Sequence, residues 1–136
     1  MTEVLMIEVQ ITTTSAMERE EGNVSLVCFT GSCHCRNFCG EIMEGGVDTQ
    51  VGKSDGTVTL SARYLLDGAD CDRKPCRIYV ENNAIVKKDG QIATTPRILT
   101  NSSALKWLET AKLSGTVEDA GPGKIRIHIF AENHRN

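Results

Sequence analysis

Apolar and polar residues alternate through most of this chain with a period of two, and that pattern restricts the fold more than any other feature. In the stretch 57–66, Val58, Leu60, Ala62, Tyr64 and Leu66 form an apolar face, with Thr57, Thr59, Ser61 and Arg63 opposite. Successive side chains of a strand point to opposite faces, so this is a half-buried strand and not a helix. Ile125, Ile127 and Ile129 alternate with Lys124, Arg126 and His128 in the same way. Similar runs cover 3–12, 23–30, 77–81 and 92–100, with weaker ones at 38–43 and 113–117. Between them fall turn signals, among them Glu44-Gly45-Gly46, Asp55-Gly56, Asp89-Gly90 and Gly121-Pro122-Gly123. Asp-Gly suits a hairpin because glycine accepts the positive φ such turns require. One segment departs from the pattern. Asn101-Ser102-Ser103 offers an N-cap, and Ala104, Leu105, Trp107 and Leu108 follow at helical spacing, which predicts one short helix of about two turns near 102–110.

Many short strands with evenly spaced turns predict an all-β fold, either a sandwich or a closed antiparallel barrel of about eight strands. Closure removes the edges that invite aggregation. The 136 residues make one domain, 1–136, with a single core. Fifteen basic and eighteen acidic residues leave a net charge of −3, which offers no general attraction to nucleic acid or to an acidic membrane. No run of eighteen apolar residues exists that would make a membrane-spanning helix. Glu3 and Glu8 interrupt the start where a secretory signal needs a basic and then apolar run. The expected location is therefore cytoplasmic, with the six cysteines reduced.

Several short motifs recur in a recognisable order. Gly45-Gly46-Val47-Asp48-Thr49-Gln50 is followed by Asp55-Gly56 and by Ser61-Ala62-Arg63-Tyr64. Ile78-Tyr79-Val80-Glu81-Asn82, Thr94-Thr95-Pro96-Arg97 and Trp107-Leu108 come next, before a final strand. In order and spacing, from about Asn23 to Phe130, they resemble the bacterial family catalogued as domain of unknown function 3237. The resemblance implies an eight-stranded barrel with a central cavity, similar in fold to the allene oxide cyclase and dirigent barrels, whose members bind apolar or phenolic small molecules and guide cyclisation or coupling by shape. The chain departs from the family pattern at two places. Ser61 stands where an acidic residue usually precedes Ala-Arg-Tyr, and Gln91-Ile92-Ala93 stands where an aromatic pair often precedes Thr-Thr-Pro-Arg.

Three residues form the candidate ligand site. Arg97 lies in an otherwise apolar strand, where a buried guanidinium needs an internal carboxylate such as Asp48 or an anionic ligand. Tyr64 lies on the apolar face of its strand, and Asp48 follows a diglycine turn. Asp48, Tyr64 and Arg97 are expected to meet at one barrel mouth, with Asp48 and Tyr64 as the catalytic candidates if the protein is an enzyme. Arg63 is expected outside. His34, His128 and His134 are possible bases without a partner that completes a triad.

Cys28, Cys33, His34, Cys35 and Cys39 are suitable zinc ligands by type. Their spacing matches no common zinc motif, and on a strand His34 faces away from Cys33 and Cys35. The reading is that no metal is bound and that these cysteines fill core space. Cys71 and Cys76 flank a hairpin tip and are read as free thiols. The function expected is binding of a partly apolar, anionic small molecule without a cofactor. Alternatives are an isomerase, cyclase or lyase working by proton transfer, and a thiol or zinc protein using the cluster from Cys28 to Cys39. Neither nucleic acid nor membrane is an expected partner, and a homo-oligomer is compatible with the reading.

Overall fold

The alternating segments become strands held by antiparallel pairing throughout. A computed structural model describes residues 1–132, in which the strands are β1 (Thr2–Arg19), β2 (Gly22–His34), β3 (Phe38–Ile42), β4 (Val47–Lys53), β5 (Val58–Asp70), β6 (Pro75–Val86), β7 (Ile92–Thr100), β8 (Leu113–Asp119) and β9 (Lys124–Ala131). They pair in the order β7-β6-β5-β3-β2-β1-β9-β8, and β4 pairs with both β2 and β5. β3 and β4 share one place in the sheet. The first lies beside Ser32–His34 and Leu66–Asp70, the second beside Gly22–Cys28 and Val58–Arg63. Nine strands thus fill eight positions of an antiparallel barrel.

Turn chemistry sets the hairpin registers. At the β4–β5 turn Gly56 (φ +89°) donates its N–H to the Lys53 carbonyl, and at the β6–β7 turn Gly90 (φ +84°) does the same to Lys87. These are Asp55-Gly56 and Asp89-Gly90, the Asp-Gly turns expected from the sequence. The β5–β6 turn repeats this geometry with Arg73 at φ +61°, a conformation unfavourable for a side chain bearing Cβ. Asp70 offsets the strain, because its Oδ1 accepts the N–H groups of Asp72 and Lys74 at 2.9 and 3.1 Å. Gly40 and Gly68 face each other across β3 and β5, and a side chain at Gly68 would collide with the Cys39 carbonyl.

The expected inward face of β5 is the observed one, with Tyr64 and Leu66 buried. Ile127 and Ile129 of β9 face them across the barrel, with Leu5 and Ile7 of β1 beside β9. One end of the barrel is densely packed by Phe38, Ile78, Ile98, Leu105 and Leu108, all essentially inaccessible to solvent. The expected helix plugs this end but is shorter than its pattern implied, a single 3-10 turn at Lys106–Glu109. Its Leu105 and Leu108 are seated in the barrel end, and the Leu108 N–H reaches only back to the Leu105 carbonyl at 2.9 Å. Ser102 caps the segment by accepting the Leu105 N–H at 3.2 Å, while its hydroxyl donates to Asp70 at 2.7 Å. Plug and β5–β6 turn are therefore one hydrogen-bonded unit.

β1 runs past the expected end at 12 to Arg19. Beyond the bulge between Ile11 and Thr13 it pairs with β2 alone, and residues 12–19 are exposed. β4 was not among the expected strands. Its apolar residues Val47 and Val51 lie on the outside, and the polar Asp48 and Gln50 on the inside, the reverse of the other strands.

The barrel closes where β7 meets β8, and among the described residues no backbone ladder joins them. The Thr94 hydroxyl takes its place, donating to the Gly115 carbonyl at 2.8 Å and accepting the Gly115 N–H at 3.2 Å. Thr94→Val keeps the shape and removes both bonds, leaving two backbone groups unpaired in a partly buried seam. It is expected to lower unfolding free energy by about 1–3 kcal/mol, with Thr94→Ser close to wild type. Urea denaturation of both variants measures this, and an unchanged Thr94→Val midpoint would show that the seam does not depend on this hydroxyl.

Candidate functional site

At the end opposite the plug the interior is open. A cavity of about 140 Å³ lies among Val9, Val27, Phe29, Leu60, Ile125 and Ile127, with Asp48, Asn82 and Thr94 as polar members of its wall. Ile11, Ile92 and Val117 stand at its mouth and are partly exposed, Ile92 by 54%. The only ionisable side chain among the described residues of the lining is Asp48.

Strand register explains how the polar groups come together. Val27, Asp48, Ala62, Asn82 and Pro96 sit side by side on β2, β4, β5, β6 and β7. Asp48 and Asn82 are two strand spacings apart, roughly 10 Å between α-carbons, and the small Ala62 between them leaves the space that both side chains face. Asp48 Oδ2 accepts from Gln50 Nε2 at 3.0 Å. Among the described residues Asp48 Oδ1 and Asn82 Oδ1 are buried without a hydrogen-bond partner, and so is the Tyr64 hydroxyl. Tyr64 lies one layer deeper on β5, edge-on to Phe29 at 5.3 Å between ring centres and 81° between planes. A side chain at Gly46 would press on both rings' neighbourhood, 3.2 Å from Phe29 and from the Tyr64 Cβ, so the diglycine turn leaves them room. Burial, helped by the nearby Cys33 thiol, pushes the Tyr64 phenol well above its ordinary range. At neutral pH it is a hydrogen-bond donor, not a phenolate.

Asp48 and Tyr64 are thus both interior. Arg97 is not brought to them. It pairs across β6–β7 with Glu81 on the outer surface, because Pro96 and Ile98 occupy the inward positions of β7. Glu81 is the centre of that outer face. It accepts from the Tyr79 hydroxyl at 2.8 Å and from Asn83 Nδ2 at 3.2 Å, and Arg63 lies 3.9 Å away. Its carboxyl is held low, first by the Tyr79 hydroxyl and then by Asn83. Sequence reasoning missed Asn82, which the motif Glu81-Asn82 contains but whose inward position only pairing reveals. The two departures from the family pattern separate in space. Ser61 faces outward and bonds Asn83 at 2.8 Å, whereas Ile92 stands at the pocket mouth.

The cysteine cluster divides between faces. Cys33 is buried inside the barrel, Cys28 and Cys39 lie on outward positions, and His34 is exposed. Among the described residues no group of three or more His, Cys, Asp and Glu side chains converges as a metal site. Cys71 lies in the exposed β5–β6 turn, and the residue opposite Cys76 is Gly68, so the two are not cross-strand partners.

Together these features define an eight-position antiparallel barrel, plugged at one end and open to an apolar pocket at the other. The chain belongs to the family described as protein of unknown function (DUF3237), whose model matches residues 1–131. It is 32% identical to a UPF0311 protein of Clostridium acetobutylicum over 99 residues, a match that spans 58% of this chain and 58% of that curated relative's length. The barrel is similar to the crystal structure of a protein with unknown function from Clostridium acetobutylicum, with TM-score 0.78, 25% identity and coverage of 93% and 94% of the two chains. It is also similar in fold to a β-barrel-like protein from Acinetobacter baumannii, with TM-score 0.77, 16% identity and coverage of 96% and 93%. An enzyme from Penicillium herquei has TM-score 0.67, 18% identity and coverage of 95% and 94%. No helix among the described residues is long and apolar enough to cross a membrane.

His134 lies outside the described residues. His128 points outward, as its alternation with the isoleucines implies, and is bracketed by two acids. Nδ1 is 3.0 Å from Glu3 on β1, and Nε2 is 3.2 Å from Glu118 on β8. Glu3 first and then Glu118 raise the imidazole above its usual 6.5, while His128 draws Glu118 down. A base raised on folding stabilises the folded state fully below its unfolded value, and that contribution is lost as pH rises through the folded value. As pH rises from about 6.5 through the raised folded value, the wild type is therefore expected to lose thermal stability that His128→Gln does not lose. Melting curves of both proteins across that range test this, and parallel curves would refute it.

Proposed function

We propose that this barrel binds a small, largely apolar and neutral molecule bearing at least one hydrogen-bond donor, held in the pocket by Asp48 and Asn82. The observation that carries this reading is that, among the described residues, Asp48 Oδ1 and Asn82 Oδ1 are buried without partners in the wall of an apolar cavity, with the unpaired Tyr64 Oη one layer deeper. Buried polar groups are almost always hydrogen-bonded, and an unpaired one costs about 1–3 kcal/mol. Two acceptors in one wall select a ligand that donates, and Tyr64 offers a donor one layer deeper. An apolar cavity of about 150 Å³ in another protein accommodates benzene, so the 140 Å³ here suits a ring of similar size. The ligand is neutral in this reading because the described lining holds no cationic side chain and Arg97 lies outside. The same reading places the protein in the cytoplasm, with a small molecule as partner and no cofactor, nucleic acid or membrane; assembly into a homo-oligomer is compatible with it.

A second reading rests on the unpaired Asp48 oxygen, together with a fold neighbour described as an enzyme. In it the same site is an isomerase, cyclase or lyase, with Asp48 taking a proton and Tyr64 supplying one.

Benzyl alcohol, toluene and benzoate are suitable probes of the pocket. Benzyl alcohol is expected to shift the methyl resonances of Val27, Leu60 and Ile127 and to bind more tightly than toluene, with benzoate weakest. Asp48→Ala should weaken benzyl alcohol binding roughly ten- to a hundredfold, the value of a hydrogen bond to a charged group. Asn82→Leu should weaken it also while raising the melting temperature, because an unpaired buried amide is replaced by apolar surface. Benzoate binding best would restore an anionic ligand, and unmoved methyl resonances with all three probes would overturn the reading.

A further inference from the structure

The packed end of the barrel holds a second chemical feature that the pocket does not use. β2 brings Cys33 to the inner face and then ends in the tight turn Arg36–Asn37. The Cys35 N–H donates to the Phe38 carbonyl at 3.0 Å, and Asn37 Nδ2 donates to the Val4 carbonyl at 2.9 Å, which ties the turn to β1 and β3. Residues i and i+2 of a strand share a face. At the strand exit the backbone bends, and Cys35 Sγ comes to 3.5 Å from Cys33 Sγ. Both sulfurs are free.

The two thiols differ in access. Cys33 is fully buried, whereas Cys35 is half-buried and lines a cleft of about 530 Å³ with Glu3, Met6, Arg36, Asn37 and Cys71. We propose that Cys33 and Cys35 are a reversible dithiol–disulfide pair, in which Cys35 meets small disulfides in the cleft and Cys33 resolves the adduct. Cys35 thiolate attacks one sulfur of a small disulfide RSSR, forming Cys35–S–S–R and expelling RS⁻. The Cys33 thiol gives its proton to that thiolate and attacks Cys35 Sγ, expelling the second RS⁻, which takes a proton from solvent. Two protein thiols are oxidised to one disulfide, and RSSR is reduced to two RSH.

The electrostatics divide these roles. Hydrogen bonding with the Cys33 thiol lowers the Cys35 thiol to about 6, assisted by backbone hydrogen bonds with Phe38, Met6 and Asn37 and opposed by burial. Cys33 is raised, first by its hydrogen bond with Cys35, then by burial and by the Cys35 charge. Formation of the mixed disulfide removes that charge, which frees Cys33 to ionise for the second step. Cys33 serving only as core filling does not account for a second sulfur in contact with it at the wall of a cleft. The low value of Cys35 gives more thiolate but a weaker nucleophile, so its net rate advantage over an ordinary thiol at neutral pH is only about three- to sixfold. Rate alone is therefore a poor readout, and the identity of the product decides.

The experiment treats the native protein with oxidised glutathione, quenches in acid, alkylates under denaturing conditions and maps the peptides by mass spectrometry. The expected product has lost the Cys33 and Cys35 thiols together, linked to each other, and dithiothreitol restores both. Cys33→Ala should instead accumulate glutathione on Cys35, and Cys35→Ser should leave Cys33 alkylatable. The double variant Cys39→Ser/Cys71→Ser removes two exposed thiols and should still form the link, which keeps the result readable if Cys33→Ala does not fold. Cys33 and Cys35 both remaining alkylatable in wild type would overturn the proposal, as would Cys35 joined to Cys39 or Cys71.

Discussion

A sheet that must close on itself needs something to join its first and last strands, and here that join is a side chain. Thr94 on β7 offers one hydroxyl as both donor and acceptor to the two backbone groups of Gly115 on β8. Pro96 follows two residues later, and proline in a strand belongs at an edge because it has no N–H for a ladder. β7 is therefore built as an edge strand, and Thr94 turns that edge into a seam. Closure in turn gives the inward residues of the other strands a common interior, so packing at the plug and space at the pocket both presuppose it. Thr94 also stands in the pocket wall, which links the integrity of the barrel to the shape of the site.

The two ends of the interior follow different rules. At the plugged end the interior is mainly apolar side chains and thiols, and the buried polar groups Asp70 and Ser102 satisfy one another and the adjoining backbone. At the open end β4 reverses the pattern by placing Asp48 and Gln50 inside, and β6 adds Asn82. Polar groups there remain partly unpaired at a cost to stability. That contrast, within one barrel and between neighbouring layers, locates the site more sharply than the cavity alone.

Tyr64 lies between the two regions. Its ring packs edge-on to Phe29 of the pocket wall, and the Cys33 thiol below contributes to the rise of its phenol. The open pocket and the two adjacent thiols are thus separated by a single layer of side chains. The outer surface is organised separately around Glu81, Tyr79, Asn83 and Arg63, and around His128 with its two acids. The Arg63–Glu81 and His128 contacts link neighbouring strands, and the Tyr79 and Asn83 bonds to Glu81 run along β6.

Much of this architecture is legible in the order of residues. The inward faces of β5 and β9, the Asp-Gly hairpins and the plugging leucines follow from local periodicity and turn chemistry, because each depends only on near neighbours in the chain. The family motifs carried the barrel itself. β4 escaped the pattern because its polar residues face inward, against the alternation that marks the other strands. Arg97 was misplaced for the opposite reason. A charge in an apolar run suggests burial, but the parity of β7 is set by Pro96 and Ile98 pairing with β6, and this puts Arg97 outside beside Glu81. The meeting of Asp48 with Asn82, the split of the cysteines between faces and the approach of Cys33 to Cys35 depend on register between strands far apart in sequence. Local sequence determines which residues can face inward together; only the closed sheet decides which of them face one another, since that depends on how the strands are staggered around the barrel.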